Sequence, residues 1–174
     1  VPADKHFHPK GKPPSAFTKA IVRKLRESLP FKDAKDFEEA KNGFIAAPPY
    51  TQIKADAGNV AWDIGRYQFL LANKDFDSIH PSLQRQAVLN MGYGLFKVMD
   101  GIYQIRGYDL ANITFVKGKK GWIVFDPLTA AETARAALAF INEKLGSRPV
   151  TAVVYSHSHA DHFGGVLGMV TEAA

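Results

Sequence analysis

The feature that most restricts what this chain can build is an apolar run leading directly into a cluster of ligand-type side chains. Val150-Thr151-Ala152-Val153-Val154-Tyr155 has the composition of a strand buried on both faces. His157-Ser158-His159-Ala160-Asp161-His162 follows at once. Then come Gly164-Gly165 and an apolar stretch to Val170, read as the start of a further helix. Three of the chain's six histidines lie within those six positions. Such a group is useful only if a rigid element holds it, so strand and turn are read as one unit.

Imidazole and carboxylate are good ligands for zinc and similar divalent ions. On an extended turn His157 and His159 point the same way and share one ion. Asp161 and His162 come round on the following turn and reach a second. Two ions roughly 3.5–4 Å apart hold a bridging hydroxide, clamp an anionic group and lower the pKa of water toward ~7. The nucleophile is then metal-bound water, and no side chain is assigned that role. A metal-free, polar surface turn is the plainer alternative. Four ligand-type residues at this spacing, between a strand and Gly-Gly, favour a two-metal hydrolase site over it.

The rest of the chain offers a scaffold for such a site. A length of 174 residues is enough for one domain with a real core. Its 46% hydrophobic and 22% charged residues are a globular composition. No apolar run approaches the roughly 18 residues of a membrane span, so none is expected. Val1-Pro2-Ala3-Asp4 has no apolar h-region behind it, so no signal peptide is read there. The absence of cysteine excludes disulfides, thiolate ligands and a Cys nucleophile, and fits either redox compartment. The net charge of +5 resides in residues 1–24, where Lys5, Lys10, Lys12, Lys19, Arg23 and Lys24 oppose Asp4 alone. That makes a solvated arm, or a weak attractor of anionic surfaces, and gives no case for nucleic acid as a partner.

Along the chain, residues 1–14 hold four prolines and read as an extended basic arm. Residues 15–94 read as a mostly helical segment. Ser15 caps a helix that Pro30 stops, and a second covers 33–41. Residues 52–64 suit a small hairpin around Ala57-Gly58-Asn59, and a third helix follows Pro81. From Leu95 the pattern changes to short β-rich runs at 96–98, 102–105 and 113–116. Lys119-Lys120-Gly121 is a turn. Trp122-Ile123-Val124-Phe125 is a second strand read as buried on both faces, and a helix spans about 130–145. Residues 95–174 thus read as the first part of a second unit, and the fold class is α/β (α+β).

Further candidates are less determined. Asp126 ends a strand near the donor loop; it either accepts a hydrogen bond that orients a ligand or is a turn residue before Pro127. Arg106, Asp109 and Asn112 either line a cleft or form a buried turn network, and the network is the preferred reading. His6 and His8 are spaced like ligands but sit in the arm, without a scaffold. Trp62, Tyr67, Phe69 and Phe76 either meet an apolar ligand or pack in the interior.

The segment Val153-Val154-Tyr155-Ser156-His157-Ser158-His159-Ala160-Asp161-His162-Phe163-Gly164-Gly165 resembles the metal loop of the metallo-β-lactamase superfamily. Upstream, 101–116 and Gly121-Trp122-Ile123-Val124-Phe125-Asp126-Pro127-Leu128 resemble the bacterial alkylsulfatases that hydrolyse dodecyl sulfate and related esters. So do Ser28-Leu29-Pro30-Phe31, Asp36-Phe37, Gly43-Phe44-Ile45-Ala46 and residues 90–98.

That resemblance implies an αββα sandwich preceded by the helical segment. It implies two zinc ions per complete site, with His157 and His159 on one and Asp161 and His162 on the other. It implies an alkyl sulfate substrate with its sulfate toward the metals and its tail in an apolar groove. A homodimer, and a periplasmic or secreted location that the non-Met start suits, are implied too. The family's remaining ligands, two glutamates and a histidine, lie downstream of the motif. The chain is therefore expected to be an N-terminal piece that alone holds metal poorly and hydrolyses nothing. A lactonase or β-lactamase of the same superfamily is the alternative, opposed by the long helical start and the 106–114 segment. An inactive binding fragment is another.

Overall fold

The computed structural model describes residues 11–72 and 74–171. The predicted arm lies mostly outside them, as do His6 and His8.

Helix α1 (Ala16–Ser28) begins as expected: the Ser15 hydroxyl accepts the Thr18 N–H at 3.1 Å. Helix α2 (Lys35–Glu39) is shorter than 33–41 because Asp33 folds into a turn, its Oδ1 accepting the Lys35 N–H at 3.0 Å. The predicted hairpin is present as antiparallel β2 (Gln52–Lys54) and β3 (Val60–Asp63). Helix α3 (Pro81–Leu89) starts on proline, where the missing N–H costs nothing. Two elements had no local signal. Residues Gly65–Ala72 form a 3₁₀ segment, and Phe44–Ala46 is a strand, β1. Strand β1 exists because Gly43, at φ 74°, turns the chain onto a strand far along the sequence, its carbonyl accepting the Lys97 N–H at 2.7 Å.

The main sheet has six strands in the order β1-β4-β5-β6-β7-β8. Strands β4 (Gly94–Met99), β5 (Ile102–Arg106), β6 (Ile113–Lys117) and β7 (Trp122–Phe125) are antiparallel neighbours. Strand β8 (Val150–Val154) is parallel to β7, reached through helix α4 (Ala131–Leu145), as a parallel pair requires. Trp122, Phe115, Ile113, Ile105 and Val124 of the sheet form one apolar core with Ala137, Phe140 and Ile141 of α4 and with Ile53 and Ile64. Trp122 fills its centre, with its Nε1–H donated to Asn142 Oδ1 at 2.8 Å. The architecture is the mixed α/β one expected, a sheet with a helix packed on it.

Three local expectations are corrected. Strand β7 is not buried on both faces: Trp122 and Val124 are buried, but Phe125 is 37% exposed. Strand β8 is still more open, with Thr151, Ala152 and Val154 exposed, because among the described residues it is an edge strand with one neighbour. Apolar composition sets the tendency to form a strand, and the number of layers covering it is set by topology. The helix expected after Gly164-Gly165 instead starts inside the motif, as α5 (Ala160–Phe163), and residues Val166–Gly168 make only a 3₁₀ turn.

Because β5, β7 and β8 run the same way, the segments that follow them emerge on one edge of the sheet. These segments are residues 107–112, 126–130 and 155–159.

Candidate metal centre

Strand β7 ends with a backbone reversal at that edge. Asp126 and Leu128 both have positive φ, 55° and 64°. Asp tolerates this conformation; Leu does so only under outside restraint. The reversal leaves the Asp126 carboxylate facing the turn after β8. Its Oδ1 accepts the Ser156 N–H at 2.7 Å, and its Oδ2 accepts the Ser156 hydroxyl at 2.7 Å and His162 Nδ1–H at 2.9 Å. Partial burial pushes this carboxyl group up, but the donors from Ser156 and His162 outweigh it and hold it below the usual carboxylate range. It is therefore ionised at neutral pH and can only accept.

That one anion sets the state of two rings. His162 gives its Nδ1–H to Asp126, so Nε2, 3.3 Å from Asp161 Oδ2, is the ring nitrogen left to face a metal. Ser156 spends its hydroxyl proton on Asp126 and so accepts from His157 Nδ1, 2.9 Å away. In that arrangement His157 presents Nε2 toward His159 Nδ1 at 3.0 Å. The two donor pairs lie side by side, with the His157 and His162 rings 4.1 Å apart.

These spacings fit ions held between each pair. Two imidazole nitrogens each about 2.0–2.1 Å from a tetrahedral zinc lie roughly 3.4 Å apart, close to the 3.0 and 3.3 Å here. Among the described residues no three His, Asp or Glu side chains close around one point. Each pair offers two donors.

Backbone packing explains the two glycines. The donor loop lies flat on the 126–130 segment: Gly165 N–H donates to Leu128 O at 2.9 Å. A Cβ on Gly165 would stand 2.2 Å from Pro127 O, and one on Gly164 2.4 Å from Thr129 O. Neither position has room for a side chain.

The other candidates separate. Asp109 is buried in a turn network with Thr129 and Thr133. Arg106 lies over the Phe96 ring at 4.1 Å and donates to Gln104 Oε1 at 2.7 Å. With Asn112, both also line a cleft of about 650 Å³ whose apolar wall includes Trp62, Tyr67, Met91 and Leu110. The two alternatives foreseen for this segment therefore coexist. Phe69 and Phe76 pack against each other edge to face instead. Ser156 and Thr129 were not foreseen: a hydroxyl residue beside a motif carries no signal until its partner is known.

Residues 106–173 match the sequence profile of the metallo-beta-lactamase superfamily. Over 93% of its length the chain is 50% identical to an (R)-specific secondary-alkylsulfatase and 48% identical to a linear primary-alkylsulfatase, both of Pseudomonas sp.. It is 42% identical over 86% of its length to the alkyl/aryl-sulfatase BDS1 of Saccharomyces cerevisiae. The solved structure of the stereoselective inverting sec-alkylsulfatase Pisa1 from Pseudomonas sp. superposes with a TM-score of 0.87, over 93% of this chain and 25% of that one. The chain spans about a quarter of the length of these relatives.

Proposed function

We propose that this chain, whose residues 106–173 match the metallo-β-lactamase superfamily and whose relatives are alkylsulfatases, serves the zinc-dependent hydrolysis of alkyl sulfate esters. The observation that carries this reading is the pair of facing donors at the sheet edge, His157 with His159 and Asp161 with His162, at 3.0 and 3.3 Å. His157 and His159 hold one ion, Asp161 and His162 the other, and Asp126 keeps His157 and His162 in the tautomer that presents Nε2. A zinc pair supplies Lewis-acid polarisation and a lowered pKa for water. The net reaction converts R–O–SO₃⁻ and water to R–OH and hydrogensulfate, one water proton ending on the alcohol oxygen.

The ester's apolar part needs a surface of its own. The cleft walled by Trp62, Tyr67, Met91 and Leu110 is lined in part by residues 107–112, which leave the sheet at the same end as the donor loop, and its volume suits a dodecyl chain. Leu110, 74% exposed, stands where a long tail would cover it. Leu110→Asp is expected to raise KM for dodecyl sulfate about fivefold, the loss of roughly 1 kcal/mol of apolar contact. Turnover of a short-chain ester should hardly change. An equal effect on both esters would remove the cleft from the scheme.

The reading as a whole is tested on the full-length protein, purified without chelator and supplied with dodecyl sulfate. Sulfate release, its loss on dialysis against chelator and its return with zinc are expected. A protein that holds zinc but releases no sulfate overturns the assignment of substrate. With two donors per ion, the 174-residue chain alone is expected to bind zinc weakly and release none.

A further inference from the structure

A buried carboxylate that the proposed chemistry does not use lies one segment away from the donors. Asp109, in the turn between β5 and β6, is only 7% exposed. Its Oδ1 accepts the Leu110 N–H and the Thr129 hydroxyl, both at 2.7 Å. Its Oδ2 accepts the Thr129 N–H at 3.1 Å and the Thr133 hydroxyl at 2.6 Å. A buried carboxylate is costly unless its lone pairs are satisfied. One satisfied this fully fixes a single arrangement of everything that donates to it.

Three of those donors belong to the stretch from the end of β7 into the first turn of α4. This stretch contains the unfavourable positive φ of Leu128, a conformation that persists only where the surroundings enforce it. It is also the floor on which the donor loop rests. Asp126 holds Ser156 and His162, Leu128 O holds the Gly165 N–H, and Thr129 O and Pro127 O press on Gly164 and Gly165.

We propose that Asp109 is a positioning residue for the donor loop. It anchors Thr129 and Thr133, these hold residues 126–130 in their strained course, and that course aims the Asp126 carboxylate at His162. Asp109 touches none of the donors itself. The inference rests on the reading of His157–His162 as a zinc site.

The test uses the full-length protein as wild type, Asp109→Asn, Thr133→Val and Thr133→Ser, well below the thermal midpoint of each. Zinc affinity is read by competition with a chelating dye, and site geometry by the visible spectrum of the cobalt-substituted protein. Asp109→Asn replaces an acceptor oxygen by a donor while keeping volume. It is expected to weaken zinc binding about tenfold, the lower end for residues behind a ligand, and to shift the cobalt bands. Thr133→Val should do the same about threefold, and Thr133→Ser, which restores the hydroxyl, should return both readouts to wild type. A role confined to folding would lower the midpoint and leave affinity and spectrum unchanged, and that result overturns the proposal. If Asp109→Asn does not fold, Thr133→Val decides by the same criteria. A wild type without zinc overturns the reading of the site and this inference with it. Zinc in the wild type, held equally well by both variants, overturns this inference alone.

Discussion

Replacing His157 or His159 by alanine in the full-length protein is expected to lower kcat for dodecyl sulfate at least ~10³-fold, with loss of about one equivalent of zinc. The size follows from the role. A bound ion contributes several kcal/mol of charge stabilisation, and about 4 kcal/mol is a thousandfold in rate. Both side chains are exposed and their polar neighbours lie within the loop itself. Their removal should therefore change stability by less than ~0.5 kcal/mol, which separates lost chemistry from lost folding. Ser158→Ala, in the same loop and equally exposed, is the control and should match wild type. A His157→Ala protein with full zinc and full turnover would sink the assignment.

The second large effect is expected at Asp126. Asp126→Ala removes the acceptor for the Ser156 N–H, the Ser156 hydroxyl and His162 Nδ1–H together. A residue that orients metal ligands in this way is worth 10–100-fold in metal affinity, and loss of two anchored rings places Asp126→Ala at the upper end. Asp126→Asn should be no milder. If its oxygen keeps the Ser156 N–H, its NH₂ faces His162 Nδ1–H, donor against donor, and the Ser156 hydroxyl loses the acceptor that set its direction. Ser156→Ala distinguishes the two branches, since it frees His157 and leaves the His162 bond in place. Imidazole ¹⁵N shifts read this directly: the Nδ1–H form should be lost at both rings in Asp126→Ala and at His157 alone in Ser156→Ala. Unchanged tautomers in both variants would refute the relay.

Much of this site is legible without coordinates. The spacing of His157, His159, Asp161 and His162 is chemistry written in residue types, and an apolar run before it marks a strand end. Ser15 and Pro81 announce their helices by local rules, and β2–β3 and the α4 crossover follow from periodicity and turns. Strand β1 was not legible, because Gly43 meets Lys97 only after the chain has folded back. Nor was the exposure of Thr151, Ala152 and Val154, since a strand's pattern does not record how many neighbours it has. Asp126 stood undecided between ligand support and turn residue, and its sequence neighbours gave no means to choose.

Which atoms are available to bind a metal, and that a strand carries them to one place, can be read from the chain's residues alone. Both depend on residue type and on spacings shorter than a helical turn. How those atoms are prepared is set by contacts made in the folded state. Asp126 meets His162 across 36 positions, and Asp109 meets Thr133 across 24. The Gly164-Gly165 pair is required by carbonyls on a different segment. These are contacts between parts of the chain that come together only when the sheet has assembled and α4 has packed on it. A carboxylate's effect on a ring tautomer depends on a few tenths of an ångström, which spacing along the chain does not encode.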